Sequence, residues 1–199
     1  LAVADVVVPK QTRRKKKQQN IPKRIVPKSI AVDLDGVLAD THSYILRRLG
    51  LAPDINQITS WEWFIDNYGE RFWTEYRRSW QNFEDIKMTD NTVPSTMEKL
   101  LNLGWKVDIL TARDSDLREY TQRWLVRNDI SFSNLVIIER HSDKASYTDD
   151  YMLFVDDNPT LAETLGSKLI IYDRPWNKSV SPEIRRIYIL EELLTIVGG

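Results

Sequence analysis

Apolar residues along this chain fall into two rhythms. Short unbroken apolar runs, "SIAVDL" (29–34), "WKVDILTA" (105–112), "NLVIIE" (134–139), "YMLFVDD" (151–157) and "KLIIYD" (168–173), predict strands buried on both faces. Between them the spacing changes to that of helices. "THSYILRRLG" (41–50) places Tyr44, Ile45 and Leu49 on one face, with Thr41 as its cap and Gly50 as its stop. "STMEKLLNLG" (95–104) follows Pro94 and ends at glycine. "DSDLREYTQRWLVRND" (114–129) carries Leu117, Tyr120, Trp124 and Leu125 on its apolar face. "PTLAETLG" predicts a short helix, and "SPEIRRIYILEELLTIV" (181–197) a closing helix opened by Ser181 and Pro182.

Strands alternating with helices predict right-handed crossovers and an α/β fold, a parallel sheet covered on both faces. Ligands in such sheets bind beyond the carboxyl ends of the strands. The residues expected there are Asp33 and Asp35, Thr111, and Asp156 and Asp157. One interval breaks the alternation. Residues 61–83 hold Trp61, Trp63, Phe64, Tyr68, Phe72, Trp73, Tyr76, Trp80 and Phe83, a segment expected to be helical.

Composition changes this picture little, but charge does. The 199 residues suffice for one sizeable domain. No apolar run of about 18 residues is present, so no membrane span is expected. There is no cysteine, hence no thiol nucleophile or thiolate metal site, which fits an intracellular, cytoplasmic protein. Residues 1–28 carry nine lysines and arginines against one acid, a net of +8, while the remainder carries −9. A basic arm thus precedes an acidic body. Its plain reading is a solvated tail; its functional reading is contact with nucleic acid or protein.

The chemistry lies in the carboxylates. Asp33 ends a predicted strand, Asp35 follows two residues on, and Gly36 permits a tight turn against a ligand. "FVDDNP" brings Asp156 and Asp157 from another strand. Carboxylates this close repel one another unless a cation joins them. Oxygen ligands without histidine or cysteine suit Mg²⁺. A metal that neutralises a phosphate lets an aspartate attack it. Asp after a strand is also a common turn residue, but two acidic strand ends with a downstream threonine and lysine exceed what turns require.

In order, "VDLDGVLAD", "ILTAR", "SDKASY" and "FVDDNP" resemble the four motifs of the haloacid dehalogenase (HAD) superfamily of phosphotransferases, over about residues 29–177. The resemblance implies a three-layer α/β/α Rossmann-like core with strand order 5-4-1-2-3 and a small helical cap inserted after the first strand. The corresponding division is an arm at 1–28, a core at 29–40 and 95–199, and a cap at 41–94. It implies that Asp33 is the nucleophile and Asp35 the general acid and base, facing Mg²⁺ through its backbone carbonyl. Thr111, the amide of Ala112, and Lys144 would hold phosphate; Asp157 would join Asp33 on Mg²⁺, with Asp156 in support. Lys168 competes with Lys144 for the lysine role, and Lys144 has the better spacing. His42 is expected to serve as a helix-start residue rather than a catalyst. Together with "DRPWN" (173–177), these motifs resemble the 5′(3′)-deoxyribonucleotidase-like branch of that superfamily, which implies a nucleotide substrate. Trp61, Trp63, Phe64, Trp73 and Arg113 are the candidate pocket residues, since aromatic faces stack on bases at about 1–3 kcal/mol each. Two alternatives stay open: a phosphatase of polynucleotide ends or phosphoprotein guided by the arm, and a non-catalytic protein that binds a phosphometabolite.

Overall fold

The computed structural model describes residues 28–50 and 55–198. The basic arm expected at 1–28 lies outside them except for Lys28. Six strands are present among the described residues: β1 (Ser29–Val32), β2 (Lys106–Ala112), β3 (Asn134–Ile138), β4 (Leu153–Asp156), β5 (Leu169–Tyr172) and β6 (Arg185–Ile187). Every pairing is parallel, in the order β3-β2-β1-β4-β5-β6.

Period-two alternation explains why this sheet is buried on both faces. Ile30 and Val32, Val107 and Ile109, Val155, and Ile170 and Tyr172 point to one face. Ala31, Leu110, Phe154, Leu169 and Ile171 point to the other. The first face is covered by α4 (Val93–Asn102), α5 (Arg118–Arg127) and α7 (Glu192–Val197), through Met97, Leu100, Trp124, Leu125 and Leu193. The second is covered around α6 (Ala162–Leu165), through Leu161 and Leu165.

The predicted strand order holds for five strands, and the sixth is a correction. Residues 181–197 form a turn, β6 and the six-residue α7 instead of one helix. β6 adds to the free edge of β5, pairing Ile187 with Tyr172. Arg186 is drawn in at the same time, donating to Asp173 (2.9 Å) and to the Asn177 side-chain oxygen (2.7 Å). Pairing with an exposed sheet edge overrides the local helical signal of Ser-Pro-Glu.

Among the described residues between β1 and α4 lie three α-helices, α1 (Thr41–Arg48), α2 (Trp63–Tyr68) and α3 (Glu70–Gln81), with short 3-10 turns beside them. Gly69, with φ of +49°, breaks the aromatic segment into α2 and α3. Ile45, Leu46, Ile58, Phe64 and Phe72 share one apolar cluster with Trp176, which follows β5. The far end of α3 belongs to the main core instead: Trp80 is fully buried there, its ring 5.8 Å from that of Trp124. Arg77 ties α3 to the loop after β2 by ion pairs to Asp114 and Asp116. Thr41 does not cap α1; its hydroxyl donates to Asp35.

Candidate active site

β1 runs directly into Asp33, whose backbone N–H continues the ladder to the Val155 carbonyl (2.9 Å). The chain then turns tightly. Leu38 and Ala39 donate to the Leu34 carbonyl, and Gly36 donates to that of Ala39 (2.8 Å). Gly36 has φ of +79°, and a Cβ there would lie 2.0 Å from Asp157 Oδ2. The turn therefore demands glycine twice over, for its backbone and for the carboxylate packed against it.

β1 and β4 are neighbours, so their ends meet. Asp33, Asp156 and Asp157 are all buried and offer carboxylate oxygens within 4.8 Å of one another. The Lys144 ammonium, 1% exposed, lies 2.9 Å from Asp33 Oδ1 and 2.5 Å from Asp156 Oδ2. Burial works against its charge, but Asp156 and Asp33 outweigh that and raise its pKa above the ordinary lysine value. Asp156 also accepts from the Asn158 N–H (2.9 Å). Asp157 differs: it is 0% exposed and neither oxygen accepts a hydrogen bond. Burial, then the charges of Asp156 and Asp33, push its pKa well above the usual carboxylate range.

A buried carboxylate without a donor is costly unless something joins it. Hard oxygen ligands converging on one point are the donor set of a divalent cation. The residues present fit such an ion, with Asp157 and Asp33 as ligands and Asp156 held by Lys144.

Asp35 stands apart from this triad. Its Oδ1 accepts from Thr41 Oγ1 (2.5 Å) and Trp80 Nε1 (3.2 Å); its Oδ2 accepts from Tyr76 Oη (2.7 Å) and Arg113 Nη2 (2.6 Å). Burial would raise its pKa, but Arg113, then Thr41 and Tyr76, overcome this and hold it below the usual value. Asp35 thus brings no carboxylate to the metal cluster; Arg113 grips Asp35, is not among the walls of the cavity above Asp33, and borders the adjoining cleft with Trp73, Tyr76 and Ala112.

Above Asp33 and Asp35 lies a cavity of about 140 Å³. Of the expected pocket residues, Trp61, Phe64 and Trp73 line it. Trp63 does not, and packs its ring on Phe64 (5.3 Å) and Tyr68 (5.6 Å). Ala112, at the end of β2, reaches the cavity, and Thr111 beside it is buried. Lys168 is elsewhere, donating to the Thr148 and Tyr151 carbonyls. Sequence reasoning missed His42, Phe72, Tyr76 and Trp176 as cavity walls. His42 is more than a helix-start residue: its ring sits 4.9 Å from Phe64 and 4.8 Å from Trp176. Its position directly after the first acidic motif was the available signal.

A family model described as a protein of unknown function (DUF2608) matches residues 67–159. A protein of Halalkalibacterium halodurans, provisionally named a nucleotidase, is 24% identical over 171 residues, spanning 78% of this chain and 84% of that protein. A HAD-superfamily hydrolase of Geobacter sulfurreducens superposes with a TM-score of 0.53 at 15% identity, over 86% of this chain and 100% of that one. L-2-haloacid dehalogenase of Xanthobacter autotrophicus superposes with a TM-score of 0.55 at 12% identity, over 87% and 99%. The chain is thus similar in fold to HAD-superfamily hydrolases.

Proposed function

We propose that this chain is a Mg²⁺-dependent phosphomonoester hydrolase acting on nucleoside monophosphates through an aspartyl phosphate on Asp33. The observation that carries the reading is the buried Asp33–Lys144–Asp156–Asp157 cluster, whose Asp33 also lines an aromatic cavity. The similarity to a protein provisionally named a nucleotidase supports the same direction. Mg²⁺ held by Asp33 and Asp157 would supply charge neutralisation for the incoming phosphate.

In this reading Lys144, Thr111 and the Ala112 amide orient the phosphate. The ester arrives as its monoanion and hands its proton to Asp35; Asp33 attacks phosphorus, and the bond to the leaving oxygen breaks as that oxygen takes this proton from Asp35. A water then attacks the acyl phosphate and gives its proton to Asp35, releasing phosphate and restoring Asp33. The helices α1–α3 act as a cap that excludes bulk water.

The cavity decides what the leaving group looks like. Its walls are rings, suited to stacking. About 140 Å³ is close to the roughly 150 Å³ that holds a single benzene ring. One-ring bases fit this space better than two-ring bases, and the adjoining cleft bordered by Trp73, Tyr76 and Ala112 has room for the sugar. A panel of nucleoside monophosphates and sugar phosphates with Mg²⁺ tests this. The expected result is phosphate release, faster from pyrimidine than from purine nucleotides and abolished in Asp33→Asn. No turnover of any of these esters with any divalent metal would overturn it.

A further inference from the structure

The Asp35 carboxylate has unusual company. An ionised carboxylate offers about four lone-pair sites, and here two donors fill each oxygen. Only one of the four donors, Tyr76, also lines the cavity. The other three grip Asp35 from behind, and one of them is charged. Arg113 is 4% exposed; its guanidinium gives one arm to Asp35 (2.6 Å) and another to Thr121 Oγ1 (2.6 Å). Its Cζ lies 3.9 Å from the centre of the Trp80 ring, and Trp80 itself donates to Asp35. Thr121 is fixed in turn, donating to the Leu117 carbonyl (2.9 Å). Arg113 is thus clamped by β2's end, α5 and α3 at once.

We infer that Arg113 is the positioning residue of the reaction: it holds the Asp35 carboxylate toward the leaving oxygen without touching phosphate. This rests on the hydrolase reading above. Arg113 borders the adjoining cleft with Tyr76 and Ala112, but its side chain is buried and both guanidinium arms are held by Asp35 and Thr121, which leaves none directed at the ester over Asp33. Planar two-pronged geometry matters here, because one arm must stay on Thr121 while the other directs Asp35. Tyr76, on the cavity side, is the donor that the arriving leaving oxygen displaces from Oδ2. Trp80 couples this arrangement to α3, so the orientation of Asp35 depends on how that helix is seated.

The distinguishing experiment compares leaving groups. Nitrophenolate departs without a proton, whereas a nucleoside alkoxide needs one. Wild type, Arg113→Met and Arg113→Lys are assayed with Mg²⁺ on 4-nitrophenyl phosphate and on a pyrimidine nucleoside 5′-monophosphate. Here kcat/KM is the quantity read, because it excludes the later hydrolysis of the acyl phosphate. Inhibition by inorganic phosphate and thermal melting are measured alongside. Arg113→Met should lose about a hundredfold on the nucleotide, only a few-fold on the aryl ester, and keep its inhibition constant for phosphate. Arg113→Lys should recover part of the nucleotide loss, and it carries the comparison alone if Arg113→Met does not fold. Equal losses on both esters would make Arg113 merely structural and overturn the inference. Weakened inhibition by phosphate, in step with the rate, would make it a phosphate ligand and overturn it equally. Wild type inert on both esters would instead sink the hydrolase reading, and this inference with it.

Discussion

Replacing Gly36 by alanine separates a cost in stability from a cost in metal binding. Its φ of +79° places any L side chain in the left-handed region, at roughly 1–2 kcal/mol. The new methyl would also lie 2.0 Å from Asp157 Oδ2 and 2.8 Å from its Cγ. No hydrogen bond restrains that carboxylate, so it gives way by swinging off the cluster with Asp33 and Asp156. Gly36→Ala should therefore unfold about 1–2 kcal/mol more easily in urea with chelator present. Its Mg²⁺ affinity, measured by titration calorimetry, should fall about 10–100-fold. Gly104→Ala is the matched control: φ is +80° there, with no atom within 4 Å of the added Cβ. It should show similar strain and unchanged Mg²⁺ affinity. Unaltered Mg²⁺ binding in Gly36→Ala would refute the argument that Asp157 is the ligand pressed against this turn.

Two further substitutions test neighbouring claims. Asp157→Asn removes a carboxyl that ionises freely in the unfolded chain but is disfavoured as an ion in the fold; without metal at neutral pH it should stabilise the fold. Added Mg²⁺ should then raise the denaturation midpoint of wild type only, and an equal rise in the variant would contradict the ligand assignment. Asp90 accepts from Thr92, from Tyr172 Oη (2.7 Å) and from the Leu190 N–H (3.1 Å), and these bonds outweigh burial to lower its pKa. A lowered folded-state pKa means stability that is present above the unfolded value and lost as pH falls through the folded one. Asp90→Asn should therefore cost about 1 kcal/mol at pH 7, allowing for partial exposure, and the gap from wild type should close below about pH 4. A gap that stays constant from pH 7 to pH 3 would show that the charge is irrelevant.

Much of the site could be read from the chain because strand ends carry it. Asp33, Thr111, Asp156 and Asp157 fall where the unbroken apolar runs stop, and a parallel sheet must bring those ends together. Lys144 could be picked by spacing, though its burial between two carboxylates is a tertiary fact. Residues whose role depends on distant partners were harder. Thr41 looks like a helix cap, yet the turn at 34–39 swings Asp35 under its hydroxyl. Arg113 and Trp80 lie 33 residues apart in the sequence, and only the seating of α3 stacks them. Trp176 looks like part of a loop after β5 until Phe64 and His42 pack against it. β6 was misread because three residues are too few for a pattern, and its partner edge decides its conformation.

The account turns on Asp33 becoming phosphorylated. Enzyme incubated with Mg²⁺ and a pyrimidine nucleoside monophosphate can be quenched in acid and reduced with borohydride, which converts an aspartyl phosphate to homoserine. Peptide mass spectrometry should then find homoserine at position 33 alone, in wild type and not in Asp33→Asn. Steady release of phosphate with position 33 never modified, or modification at another carboxylate, would contradict the account.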